Sequence, residues 1–187
     1  MQRHHPAWQD RGPLSSDVTD PTSHPRSAYP SSTSPRLNFA FASPFAPDMM
    51  MEAVAIYRER FRPSAHGDRP HVMLGVNVFA ADTDLQARRL FSSLQQAFLA
   101  IRTGRRGKLP APVDDMDARL DPRARAMLDH ALSCSIVGSA ETVRLGLDAF
   151  IARTGADELM VTAQIHHHAD RLRSFAILAE VAMPVMV

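Results

Sequence analysis

Three things are scarce in this sequence, and each closes off a class of function. Cysteine occurs once, at Cys134, in 187 residues. No internal disulfide and no cysteine-rich metal site can form, and a reducing, cytoplasmic setting is the expectation. An excess of one charge is also missing. Lys and Arg total 21 against 20 Asp and Glu, a formal net charge of +1, so no polyanion-attracting field follows and nucleic acid is not an expected partner. Long apolar runs are the third absence: none approaches the ~18 residues that suggest a membrane-crossing helix. Arg3 is followed by no apolar segment of the kind a secretory signal carries, so no membrane partner is expected either. Neither GxGxxG nor GxxxxGK[ST] occurs, which removes two familiar routes to nucleotide binding. At 45% hydrophobic and 22% charged residues, what remains has the composition of an ordinary globular domain.

The sequence divides near Arg36. Residues 1–36 hold six of the fourteen prolines, together with seven serines and three histidines. No apolar period of two or 3.6 residues runs through them. Trp8, Leu14, Val18 and Tyr29 are isolated and cannot jointly bury enough surface to offset chain ordering, so the segment is read as disordered. Residues 37–187 behave differently and form the second part.

Within that part, strands and helices alternate. Leu37 to Ala42 is a short apolar run that ends at Ser43-Pro44. Pro47 and Asp48 then open a helix with Met50, Val54, Tyr57 and Phe61 on one face. His71 to Ala81 is almost continuously apolar, as befits a strand covered on both faces. Asp82 is the expected N-cap of the next helix, whose apolar stripe is Leu85, Leu90, Leu94, Ala97, Phe98 and Ile101. A polar excursion from Gly104 to Asp121 follows, and Asp121-Pro122 starts another helix. Ser139 caps a helix carrying Val143, Leu147, Phe150 and Ile151, with Gly155 at its end. Glu158 to Ile165 reads as a strand, and a closing helix from about Ala169 carries Leu172, Phe175, Leu178 and Val181. This order predicts an α/β fold with about three parallel strands and flanking helices.

The runs FAFASPFAPDMMMEAV, VNVFAADTDLQARRLF, VGSAETVRLGLDAFIARTGADELMVTAQI and RLRSFAILAEV resemble the bacterial luciferase-like monooxygenases, LLM-class flavin-dependent oxidoreductases on a (β/α)8 TIM barrel. The resemblance extends from about Leu37 to Val181. It implies that residues 37–187 are the C-terminal portion of such a barrel, a partial barrel of 151 residues where a closed one takes ~250. It also implies reduced FMN as cofactor, supplied by a separate flavin reductase, and oxidation of a small organic substrate with molecular oxygen. Two other readings stand beside this one: a non-catalytic half-barrel that associates with itself or a fuller relative, its open sheet edges inviting a homo-oligomer, and a gene remnant.

Barrel enzymes carry reactive groups at the carboxyl ends of their strands, which selects Ser43, Asn77, Gln164 and His168 as candidate flavin or substrate contacts. Ser43 can equally end its strand before Pro44, and Asn77 can equally bond a neighbouring strand. His168 matches a histidine usual in the family before the last helix, although capping is the simpler account. Pro44 stands where the family commonly has histidine, so a proton-carrying group is missing there. Consecutive residues of an extended His166-His167-His168 point to opposite faces, which disfavours a metal site. Cys134 reads as a packed thiol. Arg102, Arg105, Arg106 and Lys108 form a basic cluster that solvent or a phosphate could occupy.

Overall fold

The computed structural model describes residues 37–105 and 107–182; the segment read above as disordered, 1–36, lies outside them. Four strands and five main helices alternate: β1 (Phe39–Phe41), α1 (Pro47–Arg60), β2 (Val72–Ala80), α2 (Asp84–Arg102), α3 (Pro122–Ala131), β3 (Ser135–Gly138), α4 (Ala140–Thr154), β4 (Glu158–Thr162) and α5 (His168–Ala182). All strand pairs are parallel, as the strand–helix alternation predicts. β3 is the strand that the sequence reading lacks. It is only four residues long and half-polar, too short for its apolar pair, Ile136 and Val137, to establish a period.

β2 is the hub of the sheet. Phe39 to Phe41 pair with Val72 to Leu74, Glu158 to Thr162 with Met73 to Asn77, and Ser135 to Gly138 with Asn77 to Ala80. Nine residues of nearly unbroken apolar sequence thus serve three partners, and both faces of the strand are packed. Its even-numbered side chains form one face. Val72 and Leu74 meet Met50, Val54 and Tyr57 of α1, while Val76, Val78 and Ala80 meet Val143 and Leu147 of α4 and Ile177 of α5. On the odd face Phe79, with Ala81 just beyond, packs on Ala87, Leu90 and Leu94 of α2 and Leu128 of α3. The sheet is therefore open and has helices on both sides.

Polar groups fix the ends of the strands. The Tyr57 hydroxyl donates to the Leu37 carbonyl at 3.0 Å and accepts from the His71 amide at 3.2 Å, tying the starts of β1 and β2 to α1. Asp157 and Val72 bond reciprocally: the Asp157 amide donates to the Val72 carbonyl, and the Val72 amide to the Asp157 carboxylate, both at 2.9 Å. Where β4 ends, the Ser174 hydroxyl of α5 accepts the Ala80 amide at 2.9 Å. Across the carboxyl ends of β2 and β3, Asp84 Oδ1 accepts the Ser139 amide at 2.6 Å and the Thr142 hydroxyl at 2.9 Å. Gly155 ends α4 in the left-handed conformation, φ 61°, where other residues are strained.

Four local expectations change, the first in α4, where Ile151 is exposed and the buried side runs through Val143, Leu147, Phe150 and Thr154. The N-cap of α2 is Thr83, whose hydroxyl accepts from the Gln86 amide, and not Asp82; Asp82 instead pairs with Arg173 of α5 at 2.7 Å. In α2, Leu85 and Ile101 are 71% and 61% exposed, so the buried stripe runs through Ala87, Leu90, Ser92, Ser93 and Leu94. In α5, Leu172 and Phe175 are exposed while Ser174 and Ile177 are buried. The buried faces include serines, Ser92 and Ser93 in α2 and Ser174 in α5, so the spacing of apolar residues alone does not mark them.

Two outcomes follow from these contacts. Ser174→Ala strands the Ala80 amide in a fully buried position and is expected to cost about 1–3 kcal/mol, read from urea unfolding; no change in midpoint would refute the role. The Ser139 amide, followed by the Thr142 hydroxyl, holds the Asp84 carboxyl below its ordinary 3.8. A depressed folded-state pKa contributes stability that is present above the unfolded value and lost as pH falls through the folded one. Wild-type protein is therefore expected to lose stability as pH drops below 3.8, and Asp84→Asn to lose less over that window. Identical acid profiles for the two proteins would rule out this contribution.

Candidate functional site

The odd face of β2 is covered by α2 and α3 only toward its carboxyl end. Its first half, together with β4 and the end of β1, floors a cleft of about 590 Å³. Met73, Gly75 and Asn77 of β2 lie beside Met160 and Thr162 of β4, and Gln164 follows at the carboxyl end of β4. Phe41, Pro44 and Phe45 close one side, while Leu94, Phe98, Ile101 and Arg102 of α2 close the other. Phe45 is 84% exposed and Met160 56%, so the walls are apolar surfaces turned to solvent, the usual make-up of a small-molecule site.

Gly75 shapes the floor. A Cβ there would stand 3.0 Å from Pro44 Cδ and 3.4 Å from the Phe41 carbonyl oxygen. The glycine thus lets the turn after β1 sit down on β2. Pro44, which the sequence reading noted for what it cannot donate, is a packing residue of this wall.

Asn77 is 4% exposed, and both ends of its amide are committed across the sheet. Thr162 Oγ1 donates to Asn77 Oδ1 at 2.7 Å, and Asn77 Nδ2 donates to Ser135 Oγ at 3.2 Å. Its two open readings therefore meet in one place: the side chain is a cross-strand tie whose surface also lines the cleft. Gln164 lines the cleft as well and is exposed. Ser43 is not among the lining residues: fully buried, it opens a short 3-10 turn and donates to the Phe41 carbonyl at 3.4 Å. His168 lies outside the cleft too. It is the first residue of α5, exposed, with Nδ1 2.9 Å from an Arg171 guanidinium nitrogen. The structure thus brings Asn77 and Gln164 together and leaves Ser43 and His168 apart.

The other candidates resolve locally. His166 Nδ1 is 2.8 Å from the Leu109 carbonyl oxygen, and its ring meets His167 edge to face. Among the described residues no three His, Cys, Asp or Glu side chains are placed to share a metal ion. Cys134 is buried, and burial pushes its thiol above the ordinary value, which suits packing and disfavours a nucleophile. Arg102 and Arg105 are exposed beside the cleft; Arg106 lies outside the described residues. Sequence reasoning missed Thr162 and Ser135, the partners of Asn77. The signal available was a buried amide in an apolar strand, which demands partners without naming them.

Comparison with known proteins gives a consistent picture. No protein-family model matches the sequence. A luciferase-like monooxygenase of Escherichia coli (strain K12) is 45% identical over 145 residues, covering 78% of this chain and 43% of that protein. An uncharacterized protein of Bacillus subtilis (strain 168), YvbT, is 43% identical over the same shares of each chain. In fold, the crystal structure of apo-MsnO8 superposes with a TM-score of 0.61 at 31% identity, over 78% of this chain and 44% of that one. The chain therefore spans less than half the length of these relatives. No described helix is long and apolar enough to cross a membrane.

The double engagement of Asn77 is testable without any ligand. Asn77→Leu is expected to destabilise the ligand-free protein by about 1 kcal/mol, because the cross-strand hydrogen bonds to Thr162 and to the half-buried Ser135 are both lost. An asparagine that served only a ligand would leave the ligand-free melting temperature where it was.

Proposed function

We propose, on the premise that this chain belongs over its matched 145 residues to the luciferase-like monooxygenases, that the cleft on β2 and β4 receives a reduced flavin, FMN by family resemblance, and a small organic substrate. The observation that carries this reading is the cleft itself: about 590 Å³, walled by Phe41, Phe98, Met73 and Met160, with Gln164 at its edge. A flat tricyclic ring with one apolar and one hydrogen-bonding edge fits that chemistry. Reduced flavin, when bound, supplies the electrons with which molecular oxygen is activated for insertion into the substrate.

The chain's own residues have simpler tasks. The apolar walls would exclude water from the reacting centre. Gln164 makes no hydrogen bond among the described residues, so its amide is available to a ligand carbonyl or N–H. Asn77 and Thr162, already bonded to each other, keep β2 and β4 in register beneath the ligand. Gly75 leaves the floor low. Reduced flavin would arrive from a separate reductase.

A second reading, association with another copy of the chain, is supported by the exposure of Phe45 and Met160 on the same face. Titration of the full chain with FMN, followed by flavin fluorescence, separates the two. Saturable quenching by a monomer, with oxygen uptake when NADH and a flavin reductase are added, supports the first. A dimeric mass with no quenching would sink it.

Within the flavin reading, Gly75→Val raises the floor and is expected to weaken FMN binding about tenfold or more, the loss of ~1.4 kcal/mol or above. Gln164→Ala removes one exposed hydrogen bond and is expected to weaken it only two- to tenfold, about 0.5–1.5 kcal/mol. Equal affinities in wild type and Gly75→Val would place the flavin elsewhere.

A further inference from the structure

The cleft has one charged boundary. Arg102 lines it directly, with its guanidinium carbon 5.7 Å from the Phe98 ring centre. A second depression of about 250 Å³ shares Ala97 and Ile101 with the cleft and is lined by Arg105 and Lys108. Apolar walls thus lead without a break into a basic rim.

Beyond the Arg102 guanidinium lying over the Phe98 ring, local contacts do not account for these cations. The carbonyls at the end of α2 are already bonded by the chain itself: Thr103 donates to Leu99, Gly104 to Ile101, and Arg105 to Ala100, at 2.8–3.0 Å. Basic side chains are therefore not needed there as caps. Among the described residues, no carboxylate lies within 4.0 Å of Arg102, Arg105 or Lys108, whereas Arg89, Arg125 and Arg173 each hold an aspartate. Among the described residues, the Arg105 side chain bonds the Thr103 hydroxyl alone, at 3.4 Å. Two or three cations beside an apolar cavity complement a ligand with a greasy body and an anionic end.

We propose that Arg102, Arg105 and Lys108 form the anion-binding end of this cleft, so that its ligand is an amphiphile with a carboxylate, sulfate or phosphate terminus. The inference rests on the reading of the cleft as a ligand site. It extends that reading by naming the ligand's charge and orientation. The anion has two sources, the phosphate of the flavin or an acidic group on the organic substrate, and both present the same chemistry to the rim.

Calorimetric titration of the full chain with two matched pairs tests it: FMN against riboflavin, and decanoate against decan-1-ol. In at least one pair the anion is expected to bind about tenfold more tightly than its neutral partner, the scale of a few weak ion contacts acting together. That preference should vanish in Arg102→Ala/Arg105→Ala/Lys108→Ala, and should shrink in ~0.5 M salt, where charges are screened within a few Å. It should persist in Arg60→Ala/Arg123→Ala/Arg144→Ala, which removes the same three charges away from the cleft and controls for net charge. A preference in the flavin pair assigns the rim to the phosphate; one in the alkyl pair alone assigns it to an acidic substrate. The inference falls if both pairs bind without preference, if the preference survives the rim variant, or if no compound binds at all. FMN and riboflavin binding equally would overturn it with the flavin reading intact, if decanoate likewise gains nothing over decan-1-ol. Decanoate preference without any FMN binding would do the reverse.

Discussion

Everything in this fold is referred to β2. A strand that pairs with three others and packs on both faces must be apolar at almost every position, and His71 to Ala81 meets that demand with one exception. The exception is Asn77, which lies where the pairing changes hands: it is the last β2 residue opposite β4 and the first opposite β3. A buried amide has four hydrogen-bonding positions, and here one is met by a side chain on each neighbour, Thr162 and Ser135. The polar group in the centre of the sheet is thus the device that joins two strands to a third.

The same junction explains why a cleft exists. Parallel strands that each follow a crossover helix accumulate side by side, and a closed barrel keeps its helices on one face only. Here α2 and α3 pack on the odd face while α1, α4 and α5 take the even one. They cover Phe79 but stop short of Met73 and Gly75, and the uncovered part of the face is the cleft. Its apolar walls are therefore a consequence of sheet geometry and not of a loop shaped around a ligand. This is also why its exposed side chains are large: Phe45, Ile101 and Met160 have no element above them among the described residues.

Much of this was legible in the residues. Unbroken apolar character announced β2, the proline at Pro47 and the glycine at Gly155 marked helix ends, and the alternation implied parallel pairing. What escaped was decided by tertiary contact. β3 is short enough that pairing with β2 makes it a strand, not propensity. Asp82 has the chemistry of a cap but is taken by Arg173, and Thr83 one residue on does the capping. For the site, two of four candidates, Asn77 and Gln164, lie in the cleft. The rule that selected them by strand end is right about position along the axis but silent about face. Ser43 satisfies it and is nevertheless buried in a turn. His168 satisfies it and opens α5, where Arg171 one turn later is the residue at its ring.

Pro44 brings these threads together. Read from the sequence, it is a loss, a position where a histidine of the resembled family is missing. In the structure it is one side of a close packing whose other side is the absent Cβ of Gly75. Proline fixes φ near −65° and suits the turn that follows β1, and its ring supplies apolar surface where an imidazole would supply a proton. The two residues act as a pair: a larger residue at either place would meet the other. The wall of the cleft nearest β1 is consequently rigid and greasy, its polar partners lie across the floor at Thr162 and Gln164, and its charge lies at Arg102. A ligand entering such a space finds its apolar body, its hydrogen-bonding edge and its anionic end addressed by three different elements, β1, β4 and α2, each held by β2.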